Sequence, residues 1–169
     1  SFVKALNNPR ISICDTRKTT PLLRALEKEA VVFGGGHNHR FGLSDMILIK
    51  ENHLSLLQYS KRLDSLPELL KCAKQKHPNI KIEIEIESIE QLMHLDLSLC
   101  DYIMLDNFKL TQLDEAFSLC RKKYPQALIE VSGNISLDTI PQYSTCDIDR
   151  ISIGALTHSV RSLDLSLLV

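Results

Sequence analysis

Ile80-Lys81-Ile82-Glu83-Ile84-Glu85-Ile86-Glu87 is the stretch on which the fold turns. Isoleucine recurs at every second position. The run therefore reads as a strand, whose side chains alternate between two faces. One face is aliphatic and the other carries three carboxylates. In an antiparallel sheet the acidic face would simply meet water. The surrounding chain argues otherwise, because β-rich runs alternate with helical ones about six times. That order predicts parallel strands joined by helical crossovers. The acidic face then lines the interior of a barrel, where buried carboxylates need cationic partners. Arg17, Lys18 and Lys50 are the candidates.

Upstream, Ile11 to Cys14 reads as the first strand. Thr20 is the expected N-cap of a helix with Pro21 at its first position, where a missing N–H costs nothing. Leu22, Leu23, Leu26, Ala30 and Val31 would form its apolar face, and Gly34-Gly35-Gly36 ends it. Met46 to Ile49 is the second strand. Ser65-Leu66-Pro67-Glu68 opens a helix to about Gln75, and Ser88-Ile89-Glu90-Gln91 is a capping box for the next. Tyr102 to Leu105 is a strand ending in Asp106-Asn107. Thr111 to about Lys123 is a helix. Ala127 to Val131 is a strand ending in Ser132-Gly133-Asn134. Ser136 starts a short helix stopped near Pro141, Ile148 to Ile153 is a strand before Gly154, and Leu163 to Leu168 is a last apolar run. No Rossmann glycine fingerprint or P-loop lysine follows any strand. Polar residues cluster just after the strands, the end that carries the active site in (β/α) barrels. The expected fold is α/β: a parallel (β/α) barrel, open or with fewer than eight strands. A doubly wound open sheet is the alternative.

The 169 residues suit one domain and bury about 70% of the unfolded surface. With 44% hydrophobic and 24% charged residues, disorder is excluded. No apolar run approaches the ~20 residues that cross a bilayer. A net charge of −1 argues against nucleic-acid binding. The charge is uneven, however. Residues 1 to 53 hold eight basic and five acidic side chains, which leaves the remainder acidic. Five scattered cysteines, an odd number, read as reduced thiols of a cytoplasmic protein. The start, Ser1-Phe2-Val3-Lys4, suggests a piece of a longer chain.

Arg17, Lys18, Arg40 and Lys50 recur at the ends of apolar runs. At ~6 Å and an effective dielectric near 20, each like-charged pair costs about 3 kcal/mol, so a fold that gathers them gathers them around an anion. Arg offers a bidentate fork and Lys a point charge to a carboxylate or phosphate. His37 and His39 lack an evident third metal ligand, although His53 is within reach; hydrogen bonding to an anion is preferred. Glu85 and Asp106 end neighbouring strands and suit a cationic transition state, sugar hydroxyls or a divalent metal held through water. Ser132-Gly133-Asn134 and Gly154 lie after the last strands, where small residues expose backbone N–H groups to a phosphate.

The segments DTRKTTP (15–21), GGGHNHRFGL (34–43), LIKENH (48–53), EIEIES (83–88), MLDNF (104–108), EVSGNISL (130–137) and ISIGALTH (151–158), in this order and spacing, resemble the quinolinate phosphoribosyltransferase family over nearly the whole chain. The resemblance implies transfer of phosphoribosyl from phosphoribosyl pyrophosphate to quinolinate. Carbon dioxide and pyrophosphate leave, and nicotinate mononucleotide forms for NAD biosynthesis. It places Arg17, Lys18, His39, Arg40 and Lys50 around the quinolinate carboxylates and pyrophosphate. Lys18, Glu85 and Asp106 are the implied catalytic groups, with Glu85 and Asp106 facing the ribose and its Mg2+ through water or substrate. Ser132, Gly133, Asn134 and Gly154 would cradle the 5′-phosphate, with His158 beside them. Family members usually carry a glycine at the position of Asn134. They also begin with an α/β domain absent from this chain, and in the family dimer that domain closes the other subunit's site and supplies an arginine. A homodimer or larger homo-oligomer is implied. The competing readings are a phosphoribosyltransferase for another acid such as nicotinate, a non-catalytic sugar-phosphate-binding barrel, and a barrel that serves in assembly.

Overall fold

Six strands, every adjacent pair parallel, form the sheet in the computed structural model, which describes residues 1–160 and 164–168. They are β1 (Ser12–Cys14), β2 (Met46–Ile49), β3 (Lys81–Ile86), β4 (Tyr102–Asp106), β5 (Leu128–Ser132) and β6 (Arg150–Ser152). Their order is β1-β6-β5-β4-β3-β2. That is the cyclic order of a barrel with one ladder missing, between β1 and β2. A doubly wound sheet would instead reverse direction at an internal switch point. The open parallel (β/α) barrel expected from the alternation is what forms.

Each crossover is helical or loop-rich, as parallel strands require. α1 (Phe2–Leu6) precedes β1, and α2 (Arg24–Phe33) leads to β2. α3 (Glu51–Tyr59) and α4 (Leu66–Lys76) separate β2 from β3. α5 (Ile89–His94) and α6 (Leu110–Lys123) follow β3 and β4, and α7 (Ala155–His158) follows β6. Ser88 accepts a hydrogen bond from the Gln91 amide at 3.2 Å, the expected N-cap. In return, Gln91 Oε1 accepts from the Glu87 amide at 2.8 Å.

The register shows which face is the core. Ile82, Ile84, Ile86, Ile103, Leu105, Ile129, Val131 and Ile151 occupy one face of the sheet and are almost wholly buried under the helices. Each fully buried side chain of this size contributes ~1.5–3 kcal/mol. The opposite face carries Glu83, Glu85, Met104, Glu130, Arg150 and Ser152. This barrel thus keeps its oil outside the sheet and its charge inside.

Several local expectations do not hold. The second helix starts at Arg24, not Pro21; Pro21 to Leu23 form a turn, with Leu22 at φ 67°. Leu22, Leu23 and Leu26 are exposed, and of the expected apolar face only Val31 is buried. The cause is tertiary. Arg24 donates to Thr19 Oγ1, Arg17 O and Phe41 O, which places it at a crossing of two loops. The Glu27 carboxylate accepts from the Thr20 amide instead of a Thr20 cap forming. The helix expected from Ser136 is a turn followed by a short 3-10 segment at Ile140–Tyr143, with Pro141 inside it. α3 was not anticipated. In the last apolar run, Leu163 lies outside the described residues, and 164–168 form neither helix nor strand.

Thermal unfolding separates the two faces of this assignment. Ile84→Ala should lower stability by about 2–5 kcal/mol, whereas Leu22→Ala should stay within about 0.5 kcal/mol. Equal losses for the two would place Leu22 in the core and overturn the helix start at Arg24.

Candidate active site

The missing ladder is where the site begins. The glycine triplet turns the chain back along the free edge of β1. The Gly36 Cα comes so close to Val31 and Ile13 that a Cβ there would sit 2.8 Å from Val31 Cγ1 and 3.1 Å from Ile13 O. His37 then bridges to Cys14 in parallel. Its amide donates to Ile13 O at 2.7 Å, and its carbonyl accepts from the Asp15 amide at 3.1 Å. Further on, the Arg40 guanidinium donates to Met46 O, at the start of β2. Residues 37 to 46 thus span the gap between the two edge strands.

A buried ion pair anchors that span. Lys28 of α2 is only 2% exposed and donates to Asp15 Oδ1 and, at 3.0 Å, to His39 O. Asp15 Oδ1 also accepts from the His39 amide at 2.9 Å. Turned to satisfy its neighbours, the Asn38 amide donates to Asp15 Oδ2 and to Lys28 O. Sequence reasoning gave neither Asp15 nor Lys28 a role; Lys28 stands between Glu27 and Glu29, so nothing local marks it as buried.

Above this anchor lies a cavity of about 240 Å³, at the C-terminal ends of the strands. It collects Arg17, Lys18, His39, Arg40, Lys50, Glu85, Asp106 and Ser132, together with Thr16, Met104 and Ser152. Gly133, Asn134, Gly154 and His158 do not line it. They flank it: a Cβ on Gly154 would touch the His158 ring at 2.7 Å and lie 3.9 Å from Lys18 Cδ. Gly133 (φ 99°) and Asn134 (φ 50°) both adopt left-handed backbone. Glycine takes that conformation freely and asparagine tolerates it. Asn134 also donates to Asn107 Oδ1 at 3.1 Å, which ties the loop after β5 to the loop after β4.

Charge is distributed unequally in the cavity. Lys50 Nζ stands 2.9 Å from both Glu85 oxygens. Burial opposes the charge on Lys50, but the hydrogen bond and charge of Glu85 outweigh it and raise the lysine's pKa. Burial pushes the Glu85 carboxyl up to about 7; Lys50 opposes that shift, while Glu51 and Asp106 add to it. Asp106 accepts from the Asn107 side chain at 2.7 Å. Among the described residues, no carboxylate pairs with Arg17, Lys18 or Arg40. Arg17 Nε is buried without a hydrogen-bond partner, and burial followed by the charge of Arg17 lowers the pKa of Arg40. Two guanidiniums that repel across a cleft are an anion site.

Glu83 does not find the partners expected for it. Its carboxylate meets Arg150 (2.7 Å) and His39 Nε2 (3.1 Å) below the cavity, not Arg17, Lys18 or Lys50. Glu130 and Arg150 complete that buried group. Neither residue stood out in the sequence, because β5 and β6 are too short to display an alternation. His37 and His53 are exposed and apart from this group; His53 Nδ1 accepts from the Lys50 amide at 2.9 Å as a helix cap. No metal-binding trio forms around the exposed histidines among the described residues.

Denaturant titration tests the anchor. Lys28→Met leaves Asp15 buried and unpaired, and should cost about 3–5 kcal/mol. Adding Asp15→Asn, which removes the stranded charge, should restore a substantial part. A double variant no more stable than Lys28→Met alone would mean that the pair is not what holds residues 37 to 40.

Known proteins are similar to this chain in sequence and fold. A family model described as quinolinate phosphoribosyl transferase, C-terminal domain, matches residues 1–168. A probable nicotinate-nucleotide pyrophosphorylase [carboxylating] of Bacillus subtilis is 43% identical over 166 residues, covering 98% of this chain and 54% of the relative. Quinolinate phosphoribosyltransferase [decarboxylating] 1 of Nicotiana glauca is 38% identical, covering 92% of this chain and 47% of the relative. The crystal structure of NadC from Streptococcus pyogenes superposes with a TM-score of 0.84 at 41% identity, over 96% of this chain and 55% of that one. The chain thus spans about half the length of the relatives it matches. With the matched family model running from the first residue to the last but one, the chain belongs to the quinolinate phosphoribosyl transferase family, in the part described as its C-terminal domain.

Proposed function

We propose that this chain binds quinolinate and phosphoribosyl pyrophosphate and carries the site that joins them as nicotinate mononucleotide, with release of pyrophosphate and carbon dioxide. One observation carries the reading: Arg17 and Arg40 face a single cavity without carboxylate partners among the described residues. A dianionic pyridine supplies the two carboxylates that they lack.

The chemistry needs no covalent nucleophile. The pyridine nitrogen forms a bond to the sugar's anomeric carbon as the bond from that carbon to pyrophosphate breaks. Positive charge grows on the ribose, and Glu85 and Asp106 oppose it from the cavity wall. At ~4 Å and an effective dielectric near 20, one such carboxylate is worth about 4 kcal/mol before desolvation. Lys18, beside Gly154, is placed for the departing pyrophosphate, and the loops at Ser132–Asn134 and Gly154 for the 5′-phosphate. Loss of the 2-carboxylate as carbon dioxide leaves an electron pair that the pyridinium ring stabilises until the carbon takes a proton. Arg17 and Arg40 hold the acid in position for both steps.

Glu85 is already engaged by Lys50 through both oxygens, so it suits Mg2+ held through water or substrate better than a direct bond. The ion would neutralise charge on the leaving pyrophosphate. Apolar side chains at the cavity's approach, Leu22, Phe41 and Leu43, are exposed. They suit cover by a second domain or by another copy of the chain in a homodimer. A cytoplasmic location is part of the proposed reading. No described helix is long and apolar enough to cross a membrane.

Thermal shift gives the direct test. Quinolinate should raise the melting temperature of the folded chain and nicotinate, with one carboxylate, should raise it much less. Equal shifts for both would favour a monoacid substrate, and no shift with quinolinate would overturn the reading. In turnover, Glu85 must be ionised to oppose ribose charge, so kcat/KM should climb as pH rises through about 7. Lys50 holds the Glu85 pKa down, so Lys50→Met should move that limb to higher pH. An unmoved limb would remove Glu85 from the role.

A further inference from the structure

His39 lines the cavity, yet its ring is held from below. Nε2 lies 3.1 Å from Glu83 Oε2 and 3.3 Å from Glu130 Oε2. The Arg40 amide donates to Nδ1 at 2.9 Å, which leaves Nε2 to carry the ring proton; there it faces both carboxylates and, at 3.2 Å, Arg150 Nη2. Burial opposes positive charge on the ring, but Glu130 and Glu83 outweigh it and raise its pKa, so the two carboxylates draw positive charge toward Nε2.

His39 Nε2 and one oxygen each of Glu83 and Glu130 lie within 4.8 Å of one another, a spacing that suits a metal ion. The guanidinium of Arg150 is already there. It reaches Glu83 Oε1 at 2.7 Å and pairs through Nε with Glu130. Its other face stacks on Tyr102, 3.6 Å from the ring centroid. The protein has put a side-chain cation where a metal would otherwise balance two buried carboxylates. Arg150 is fixed by three strands at once, through Glu83 on β3, Tyr102 on β4 and Glu130 on β5.

We propose that Glu83, Glu130 and Arg150 are positioning residues that clamp the His39 ring from the barrel interior and thereby set the direction of Arg40 at the acid-binding wall. The proposal rests on the reading above, in which Arg40 holds a substrate carboxylate. The argument is one of constraint. The His39 amide and carbonyl are bound by Asp15 and Lys28, and its ring by the interior carboxylates. The next residue, Arg40, hangs its amide on that ring and its guanidinium on Met46 O. Loosening the ring frees the one amide that orients Arg40.

The test compares the unaltered chain, Glu130→Gln, and the double variant Glu130→Gln/Arg150→Gln, from which opposite charges leave together. Proton NMR reads the ring N–H of His39, assigned by its loss in His39→Gln. Calorimetric titration reads quinolinate and inorganic pyrophosphate separately. In the unaltered chain the ring N–H should exchange slowly with water. In Glu130→Gln it should exchange fast, with quinolinate weakened about tenfold or more, as when other supporting contacts behind a binding group are lost. Pyrophosphate should stay within about twofold, because Lys18 and the Gly154 loop proposed for it make no contact with the His39 ring. A folded variant with an unchanged ring N–H overturns the proposal. So does equal weakening of both ligands in step with stability, which would mark a merely structural role. If Glu130→Gln does not fold, the double variant decides by the same readings. Failure of the unaltered chain to bind quinolinate would overturn the proposed function, and the ring N–H would still decide whether the interior clamps His39.

Discussion

A parallel barrel that stops one ladder short of closure must join its two free edges by something other than strand pairing. Here the joint is made of charge. The Lys28–Asp15 pair holds residues 38 to 40 from the side of α2, and Glu83, Glu130 and Arg150 reach the same segment from inside the barrel. Arg17 and Lys18 leave from β1, Arg40 lies in the joint, and Lys50 follows β2. The cationic groups of the cavity are thus distributed along the seam, while Glu85, Asp106 and Ser132 come from the continuous part of the sheet.

Buried ions are a poor source of stability, since taking them out of water cancels most of their attraction. The stabilising work falls to the isoleucine-rich outer face of the sheet, packed under the helices. The interior charges are better understood as setting geometry: a guanidinium bound by two carboxylates and stacked on a ring has few alternative orientations. Stability and site geometry therefore reside on opposite faces of the same strands. A substitution in one face need not disturb the other.

The alternation of Ile80 to Glu87 made the parallel architecture and the inward acidic face legible, because six residues of a buried strand suffice to show a period of two. Arg17, Lys18, Arg40 and Lys50 were legible as a group because each follows an apolar run, and Glu85 and Asp106 because they lie near the ends of neighbouring strands. Glu130 and Arg150 were not, since β6 is only three residues long and a single charge in it has no pattern. The early start assigned to α2 failed because Thr20 and Pro21 carry strong local signals that Arg24 overrides through contacts with residues 17, 19 and 41. Such contacts fall outside helical spacing and leave no periodic trace. Asn134 looked like a departure from a glycine; it takes a positive φ, which glycine would adopt freely, and bonds to Asn107.

The pairing of β1 with β6 has a consequence for how the molecule is made. Ser12 lies opposite Arg150, so the first strand finds its ladder only after the other five strands have been made. At ~5–20 residues per second, β6 leaves the ribosome on the order of ten seconds after β1. During that interval β1 has the chance to meet only the bridge at His37, and the middle strands can zip together without it. The cavity, which needs both ends of the sheet, is among the last features to be assembled during synthesis, so a nascent chain with most of its core in place still lacks a binding site.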